Sequence, residues 1–424
     1  MASELNFLEV VDKWMVIPVM VYIPWIKKNI RTVLKPIQTL KIFRESLVTL
    51  LFCLGGLIAG SILVTFLALV LIRPWIIIMY PLVLSTRGAI NGVFCGKLGT
   101  GLQTRLIEPN FKKNTTYYYA IIAAIFTLSL ISSLFASVIT FLFSYFSYQI
   151  TYYEFDKIFS TFIITKVLSV IITIPFASTL GFFTYKRGFD PDVFLYPISA
   201  TIADIWTTIS FILSLALIFW SGTYFALIHF FVISFIILII FIAIVLRRHK
   251  EYWKTLKESF IMLLIVIPIS AVSGVILSRI SHYIRKSPGI LAVYPSLTNT
   301  LGAAAAIFGS ISTTKLALGF IQTKISEIKG EISDLLQIGS SVLIVYLLYS
   351  IISSVIDGDY TPFVIIMLSF LILFPIVTGI TFTIGIFTFT RSLDPDNFII
   401  PFETTLTDFL LTLVLSLLIF IFYF

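Results

Sequence analysis

Two aspartates stand in apolar runs that are long enough to cross a membrane. Asp204 follows the segment FDPDVFLYPISATIA, and Asp408 follows the segment LDPDNFIIPFETTLT. An aspartate at the centre of a membrane helix costs about 2.5–3.5 kcal/mol on insertion scales, so an acid kept there is a functional candidate by default. Two such carboxylates on one cavity suit a hard divalent cation, and few carboxylates with some hydroxyls suit a hydrated or partly hydrated Mg²⁺.

The composition of the chain is that of a polytopic membrane protein. Its 424 residues are 58% hydrophobic and 12% charged, with a mean hydropathy of +1.05, and no soluble domain of this length could bury so much apolar surface. We interpret the formal charge of +8 as Lys and Arg that flank the spans and meet lipid headgroups, without a nucleic-acid partner. Cys53 and Cys95 are assigned to packing, and the histidines are too scattered for a zinc site.

Apolar stretches of about 20 residues predict eleven transmembrane helices. Their approximate ranges are 46–72, 76–104, 117–147, 159–186, 194–221, 224–246, 258–284, 290–322, 335–356, 362–390 and 398–424. Basic clusters between spans, such as Lys112–Lys113 and Arg247–Lys250, favour a cytoplasmic N-terminus by the positive-inside rule, although Arg73 and Arg279 fall on the other side. We therefore expect a multi-pass protein of the plasma membrane with an extracytoplasmic C-terminus.

Two internal repeats set the predicted architecture. The segment MYPLVLSTRGAINGVFCGKLGTGLQ aligns without a gap with VYPSLTNTLGAAAAIFGSISTTKLA, 214 residues later, and Asp204 matches Asp408, 204 residues later. Because five spans end on the opposite face, the extra sixth span makes the two units parallel. The predicted fold is an all-α bundle of two parallel five-helix repeats, with a pseudo-two-fold axis along the membrane normal and the functional site between the repeats. The predicted segments are a cytoplasmic or interfacial stretch (1–44), the first repeat (45–221), a linker helix with its loop (222–257) and the second repeat (258–424).

Residues near the two aspartates and in the glycine-rich second spans are predicted to line a cation pathway. Residues three and four positions apart on a helix share a face. Small residues let helices approach closely or leave backbone carbonyls facing a cavity, and close packing is the default of the two. The predicted lining residues are Ala200, Thr201, Thr404, Thr405, Gly88, Asn91, Asn299 and Gly302. Arg87 matches Leu301, so the two second spans are not chemically equivalent.

Acidic residues also flank the spans on both faces. The D-P-D segments on the inner face either cap the helices that follow or attract cations to an inner mouth. These residues are Asp190, Asp192, Asp394 and Asp396. Acids in the loops between the third and fourth spans either concentrate cations at an outer mouth or give ordinary loop polarity. These residues are Glu154, Asp156, Asp357 and Asp359.

The segment DPDNFIIPFETTLTD, residues 394–408, resembles the pattern that opens the last helix of the membrane domain of the MgtE magnesium channels. Residues 190–204 match it with Val193 in place of asparagine, and a weaker P…G match covers 81–102 and 295–316. The chain resembles still more the duplicated relatives, the solute-carrier magnesium transporters with two such domains in one chain. The resemblance implies a Mg²⁺-selective pathway at the domain interface, with the family's pore aspartate at the positions of Asp204 and Asp408.

The leading hypothesis is transport of a divalent cation, Mg²⁺ first, between the two repeats. The alternative within transport is a cation-coupled exchanger of Mg²⁺ or another divalent metal. A remote alternative is an intramembrane aspartyl protease, but the sequences around the acids, IAD and LTD, lack the Y-D and G-x-G-D contexts of that class. We expect no enzymatic activity and no cofactor beyond the transported ion. The two copies form a pseudo-dimer within one chain, so we expect a functional monomer.

Overall fold

The computed structural model describes residues 42–187, 191–220, 225–280, 287–317, 319–390 and 395–423. Within these residues the chain is almost entirely helical, and it has eleven helices that are long and apolar enough to cross a membrane. The predicted number of spans is therefore confirmed. Apolar runs fold as helices in a bilayer because every backbone N–H and C=O group must be hydrogen-bonded without water.

The eleven helices are numbered here in chain order. The first repeat contains α1 (Ile42–Thr65), α2 (Pro74–Gln103), α3 (Thr116–Tyr148), α4 (Glu154–Lys186) and α5 (Pro191–Trp220). The linker is α6 (Phe225–Val245). The second repeat contains α7 (Lys250–Arg279), α8 (Pro288–Ala317), α9 (Ile332–Asp357), α10 (Thr361–Thr390) and α11 (Pro395–Tyr423).

Proline opens the second and fifth helix of each repeat, since α2, α5, α8 and α11 all begin at a proline. Proline fits the first helical position because its amide would have no partner there and its φ is already helical. Asp192 and Asp396 consequently lie in the first turn of α5 and α11. Asp190 and Asp394 lie outside the described residues.

The first helix of each repeat packs against the second helix of the other repeat. A β-carbon added to Gly60 on α1 would overlap the carbonyl oxygen of Ala292 on α8, and one added to Gly274 on α7 would overlap that of Ile78 on α2. Gly60 and Gly274 are 214 residues apart, as are Ile78 and Ala292. Reciprocal contacts of this kind are the signature of a two-fold axis, so the repeats pack as the predicted pseudo-dimer.

Within each repeat, an equivalent hydrogen bond ties the second helix to the fifth. The hydroxyls of Tyr80 and Thr208 lie 3.2 Å apart between α2 and α5. Those of Tyr294 and Thr412 lie 2.7 Å apart between α8 and α11. All four residues are buried, and these bonds fix the two helix pairs that carry the aspartates.

The linker helix α6 lies at the periphery of the first repeat. Its residues Val232 and Phe235 pack against Ile163 and Val167 of α4. Its other side is open, with Phe230 71% exposed. The exposed apolar side chains on this side suit contact with lipid.

Candidate cation site

A cavity of about 40 Å³ lies between the two repeats. It has room for a few water molecules, since one water needs about 10–15 Å³ of such space. The first repeat contributes α1, α2 and α5 to its wall, and the second contributes α8 and α11. The lining residues are Cys53, Leu84, Ser85, Arg87, Gly88, Tyr196, Ala200, Thr201, Asp204, Thr298, Asn299, Gly302, Ala303, Thr404 and Asp408.

Most of the predicted lining residues lie on the wall of this cavity, and so do Asp204 and Asp408. Two predicted lining residues, Asn91 and Thr405, are not on its wall. The amide of Asn91 donates to the hydroxyl of Ser199 at 2.9 Å, inside the first repeat. Thr405 is buried, 2% exposed, because α11 turns Thr404 towards the cavity instead.

Asp204 is enclosed and ion-paired. It is 2% exposed, and a terminal nitrogen of Arg87 donates to its Oδ1. The other terminal nitrogen of Arg87 donates to the carbonyl of Ala200 at 3.1 Å, one turn earlier on α5. The amide of Asn299, from the second repeat, donates to Oδ2. Both carboxylate oxygens of Asp204 therefore have donors, and one of these donors carries a fixed positive charge.

Asp408 occupies the equivalent position on α11 in a different environment. The hydroxyl of Ser85, from the first repeat, donates to its Oδ2 at 2.7 Å. Among the described residues, no Lys or Arg side chain forms an ion pair with Asp408. Part of its side chain remains exposed to the cavity. Asp408 is therefore the aspartate of the two that has no positively charged partner among the described residues.

Gly88 and Gly302 leave the cavity open. A β-carbon added to Gly88 would meet no atom within 4 Å, and one added to Gly302 would first meet Thr404 at 3.8 Å. The default expectation of close helix packing at these two positions is wrong. The close helix contacts are made by Gly60 and Gly274 instead. Gly88 and Gly302 leave free volume beside the aspartates.

A buried lysine lies next to this site. Lys166 on α4 is 1% exposed, and its Nζ donates to the carbonyl of Val83 at 3.2 Å and to the hydroxyl of Thr86. Among the described residues no carboxylate pairs with it. Lys166 and Arg87 both line a smaller cavity of about 20 Å³. The first repeat thus has a buried lysine on α4, whereas the corresponding helix of the second repeat, α10, has no Lys, Arg, Asp or Glu.

One acid of each predicted outer-mouth pair forms a hydrogen bond with the start of the second helix of its repeat. Trp75 donates its indole N–H to Glu154 Oε2 at 2.8 Å, and the backbone N–H of Gly289 donates to Asp357 Oδ1 at 2.7 Å. Trp75 and Gly289 are 214 residues apart. These acids therefore make structural contacts with the starts of α2 and α8, Glu154 from the start of α4 and Asp357 from the end of α9, and neither lines the cavity.

The other two predicted outer-mouth acids have local partners as well. Asp156 lies 2.9 Å from the imidazole of His229 on α6. Asp359 accepts a hydrogen bond from the hydroxyl of Thr361 at 2.6 Å, and this hydrogen bond lowers the pKa of Asp359. Neither residue lies on the cavity wall.

Comparison with known families identifies the two repeats. The family model MgtE, described as a divalent cation transporter, matches residues 80–214 and 294–418, which together are more than half of the chain. The chain belongs to the MgtE family of divalent cation transporters. No curated protein and no solved structure matches the chain.

The two MgtE regions coincide with the parts of the repeats that build the cavity. Each runs from the second helix to the fifth, and each contains one of the two aspartates. Every lining residue except Cys53 falls within them. The first helices, α1 and α7, precede the matched regions and provide the exchanged packing between the repeats.

Sequence reasoning missed Arg87 and Ser85 on the cavity wall and Lys166 beside the cavity. Arg87 was seen only as unlike Leu301, although an arginine in the middle of a membrane helix is itself a signal for a buried acidic partner. Lys166, in the run FIITKVLSV, is likewise a residue type that is rare in a membrane helix and that needs buried polar partners. Ser85 is equivalent to Asn299 by the 214-residue spacing, so the prediction of Asn299 could have identified it.

Proposed function

We propose that this MgtE-family protein transports Mg²⁺ through the cavity between its repeats, with a hydrated or partly hydrated ion held between Asp204 and Asp408. The observation that carries the proposal is that one membrane aspartate from each repeat lines the same cavity. Divalent cation transport follows from the family. The site and the ion are the proposed parts.

The chemistry of the cavity wall favours a hard cation that keeps much of its water. Its polar groups are carboxylates, hydroxyls and an amide, and it offers too few carboxylates to strip an ion of its whole shell. Mg²⁺ loses water reluctantly and is bound through one or two carboxylates together with retained waters. The open space at Gly88 and Gly302 gives room for such a shell.

The test is Mg²⁺ entry into liposomes that contain a Mg²⁺-sensitive dye. We expect Mg²⁺-dependent flux from the native protein and none from the Asp204→Asn/Asp408→Asn variant, because the variant removes both carboxylates. A matched control is Glu45→Gln, which removes an exposed carboxylate near the start of α1. Ca²⁺, Mn²⁺ and Na⁺ are measured alongside to define the selectivity.

Two outcomes would contradict the proposal. Native flux in the folded double variant would exclude the aspartates as the ion site. Absence of Mg²⁺ flux from native protein, first under a Mg²⁺ gradient and then with Na⁺ or H⁺ gradients added, would exclude Mg²⁺ as the substrate. Flux only with an added gradient would make the protein a coupled exchanger.

We also propose a plasma-membrane protein with a cytoplasmic N-terminus that functions as a monomer. The support is the distribution of basic residues between spans and the pseudo-dimer contained in one chain. Labelling of introduced cysteines with a membrane-impermeant thiol reagent, in intact and in permeabilised cells, tests the orientation. Flux from vesicles that hold one chain each tests the monomer, and flux that requires two chains per vesicle would contradict it.

A further inference from the structure

Each of the two aspartates accepts a hydrogen bond from an uncharged side chain of the opposite repeat. Ser85 on α2 donates to Asp408 on α11, and Asn299 on α8 donates to Asp204 on α5. Ser85 and Asn299 are equivalent by the 214-residue spacing. Equivalent positions of the two repeats therefore supply one neutral donor to each acid, a hydroxyl to Asp408 and an amide to Asp204.

That difference is one arginine. Arg87 is 7% exposed, bonds Asp204, and also donates to the carbonyl of Ala200 at 3.1 Å. The equivalent residue in the second repeat is Leu301, which is 1% exposed. Opposite charges in direct contact attract strongly where water is largely excluded, and the guanidinium cannot lose its charge.

We propose that Arg87 is a resident cation at the Asp204 half of the site, so that a transported divalent cation is held by Asp408 alone. This inference rests on the proposed function, keeps the ion in the same cavity, and revises one part of it, because only one of the two carboxylates binds the ion. Arg87 occupies the side of Asp204 that would otherwise be available to an ion. The two carboxylates and the arginine then carry one net negative charge instead of two.

A single unpaired carboxylate suits transport. An ion in a pathway must bind well enough to enter and weakly enough to leave. Two unpaired carboxylates on a cavity of about 40 Å³ would repel each other when empty and hold a divalent cation tightly when filled. The arginine relieves the repulsion and limits the affinity.

Paired substitutions test this role in the liposome assay. In the Asp204→Asn variant Arg87 loses its acid, so its charge opposes cation entry and flux falls by about tenfold or more. The Asp408→Asn variant loses the ligand itself and falls at least as far. Arg87→Leu, added to either variant, leaves one unpaired carboxylate on the cavity, Asp408 in the first case and Asp204 in the second.

We expect Arg87→Leu to restore flux in both backgrounds to within about threefold of the native rate, as a coupled pair in a double-mutant cycle requires. Leucine is acceptable to the scaffold, because Leu301 occupies the equivalent position of α8. Folding is checked by monodispersity and thermal unfolding in detergent. Arg87→Met is a second replacement in case leucine does not give folded protein.

Failure of the inference and failure of the proposed function give different results. If the Asp204→Asn/Asp408→Asn variant transports normally, the proposed site is wrong. If that variant is inactive and the folded Arg87→Leu or Arg87→Met combinations transport no better than the single variants, Arg87 is a structural residue and the resident-cation role is wrong. If neither combination folds, the arginine is required for folding and the role is likewise wrong.

Discussion

The two repeats match closely in their packing and differ in the charge of their site. Gly60 and Gly274 make equivalent contacts with the backbone of the opposite repeat, whereas Arg87 pairs with Asp204 and has only Leu301 as its counterpart. In a homodimer an arginine would occur twice and would neutralise both acids. Duplication within one chain allows an arginine to pair with one acid and not with the other, so the packing of the two repeats is symmetric and the charge at the cavity is not.

The largest effect is expected from making the two halves alike. Leu301→Arg places a second guanidinium at the position equivalent to Arg87, where it would pair with Asp408. With no unpaired carboxylate left, we expect Mg²⁺ flux in liposomes to fall by about a hundredfold, because a buried carboxylate that is already paired has little charge to offer. Leu301→Met is the matched control and should stay near the native rate. Native flux in folded Leu301→Arg protein would show that Asp408 does not carry the ion.

A steric change should act on both halves. Valine at Gly88 or Gly302 would project into the open space beside the acids. We expect either variant to lower flux by about tenfold or more, because methyl groups in this space displace the water that a hydrated ion carries. Gly96→Val, on the same helix as Gly88, is the control, since Gly96 also faces open space but lies off the cavity wall. Equal flux in Gly88→Val and Gly96→Val proteins would place the pathway elsewhere.

The packing symmetry can be tested through stability. Gly60→Ala and Gly274→Ala each force a methyl group against a backbone carbonyl of the opposite repeat. Overpacking of this kind costs about 1–3 kcal/mol, so both variants should unfold at lower temperature in detergent, and by similar amounts. Gly379→Ala, where an added β-carbon meets nothing within 4 Å, serves as control. A large effect at one glycine and none at the other would break the packing equivalence.

The smallest expected difference concerns the neutral donors. Ser85→Ala removes the hydroxyl that holds Asp408, and the half-saturating Mg²⁺ concentration should rise by about fivefold, as the loss of one hydrogen bond implies. Asn299→Ala should change the half-saturating Mg²⁺ concentration less, because Arg87 still donates to Asp204 and to the carbonyl of Ala200 on the same helix. The reverse order of the two effects would assign the ion to Asp204.

Much of the fold follows from the sequence because it depends on local and repeated signals. Apolar length gives the eleven spans, and the 214-residue spacing gives the two parallel copies. The packing of each repeat's first helix against the second helix of the other repeat was not predictable in this way. The residues that mark it, Gly60 and Gly274, are small in any arrangement, and only the tertiary packing shows which helix approaches them.

The site was predicted as a set of acids and only partly as a set of contacts. Asp204 and Asp408 were identified because a carboxylate is rare in a membrane helix. Helical spacing made Thr404 and Thr405 equally good lining residues, and the rotation of α11 selects Thr404. The partner of Arg87 depends on how α2 faces α5, which the alignment of the repeats does not contain.

The position of a bound divalent cation tests the central claim most directly. Mn²⁺ located by anomalous scattering in crystals of the native protein is the measurement. We predict one peak in the cavity beside Asp408, about 2 Å from a carboxylate oxygen or one water layer further away, with Arg87 still on Asp204. A peak at Asp204 with Arg87 displaced, or a peak outside the cavity, would contradict the account.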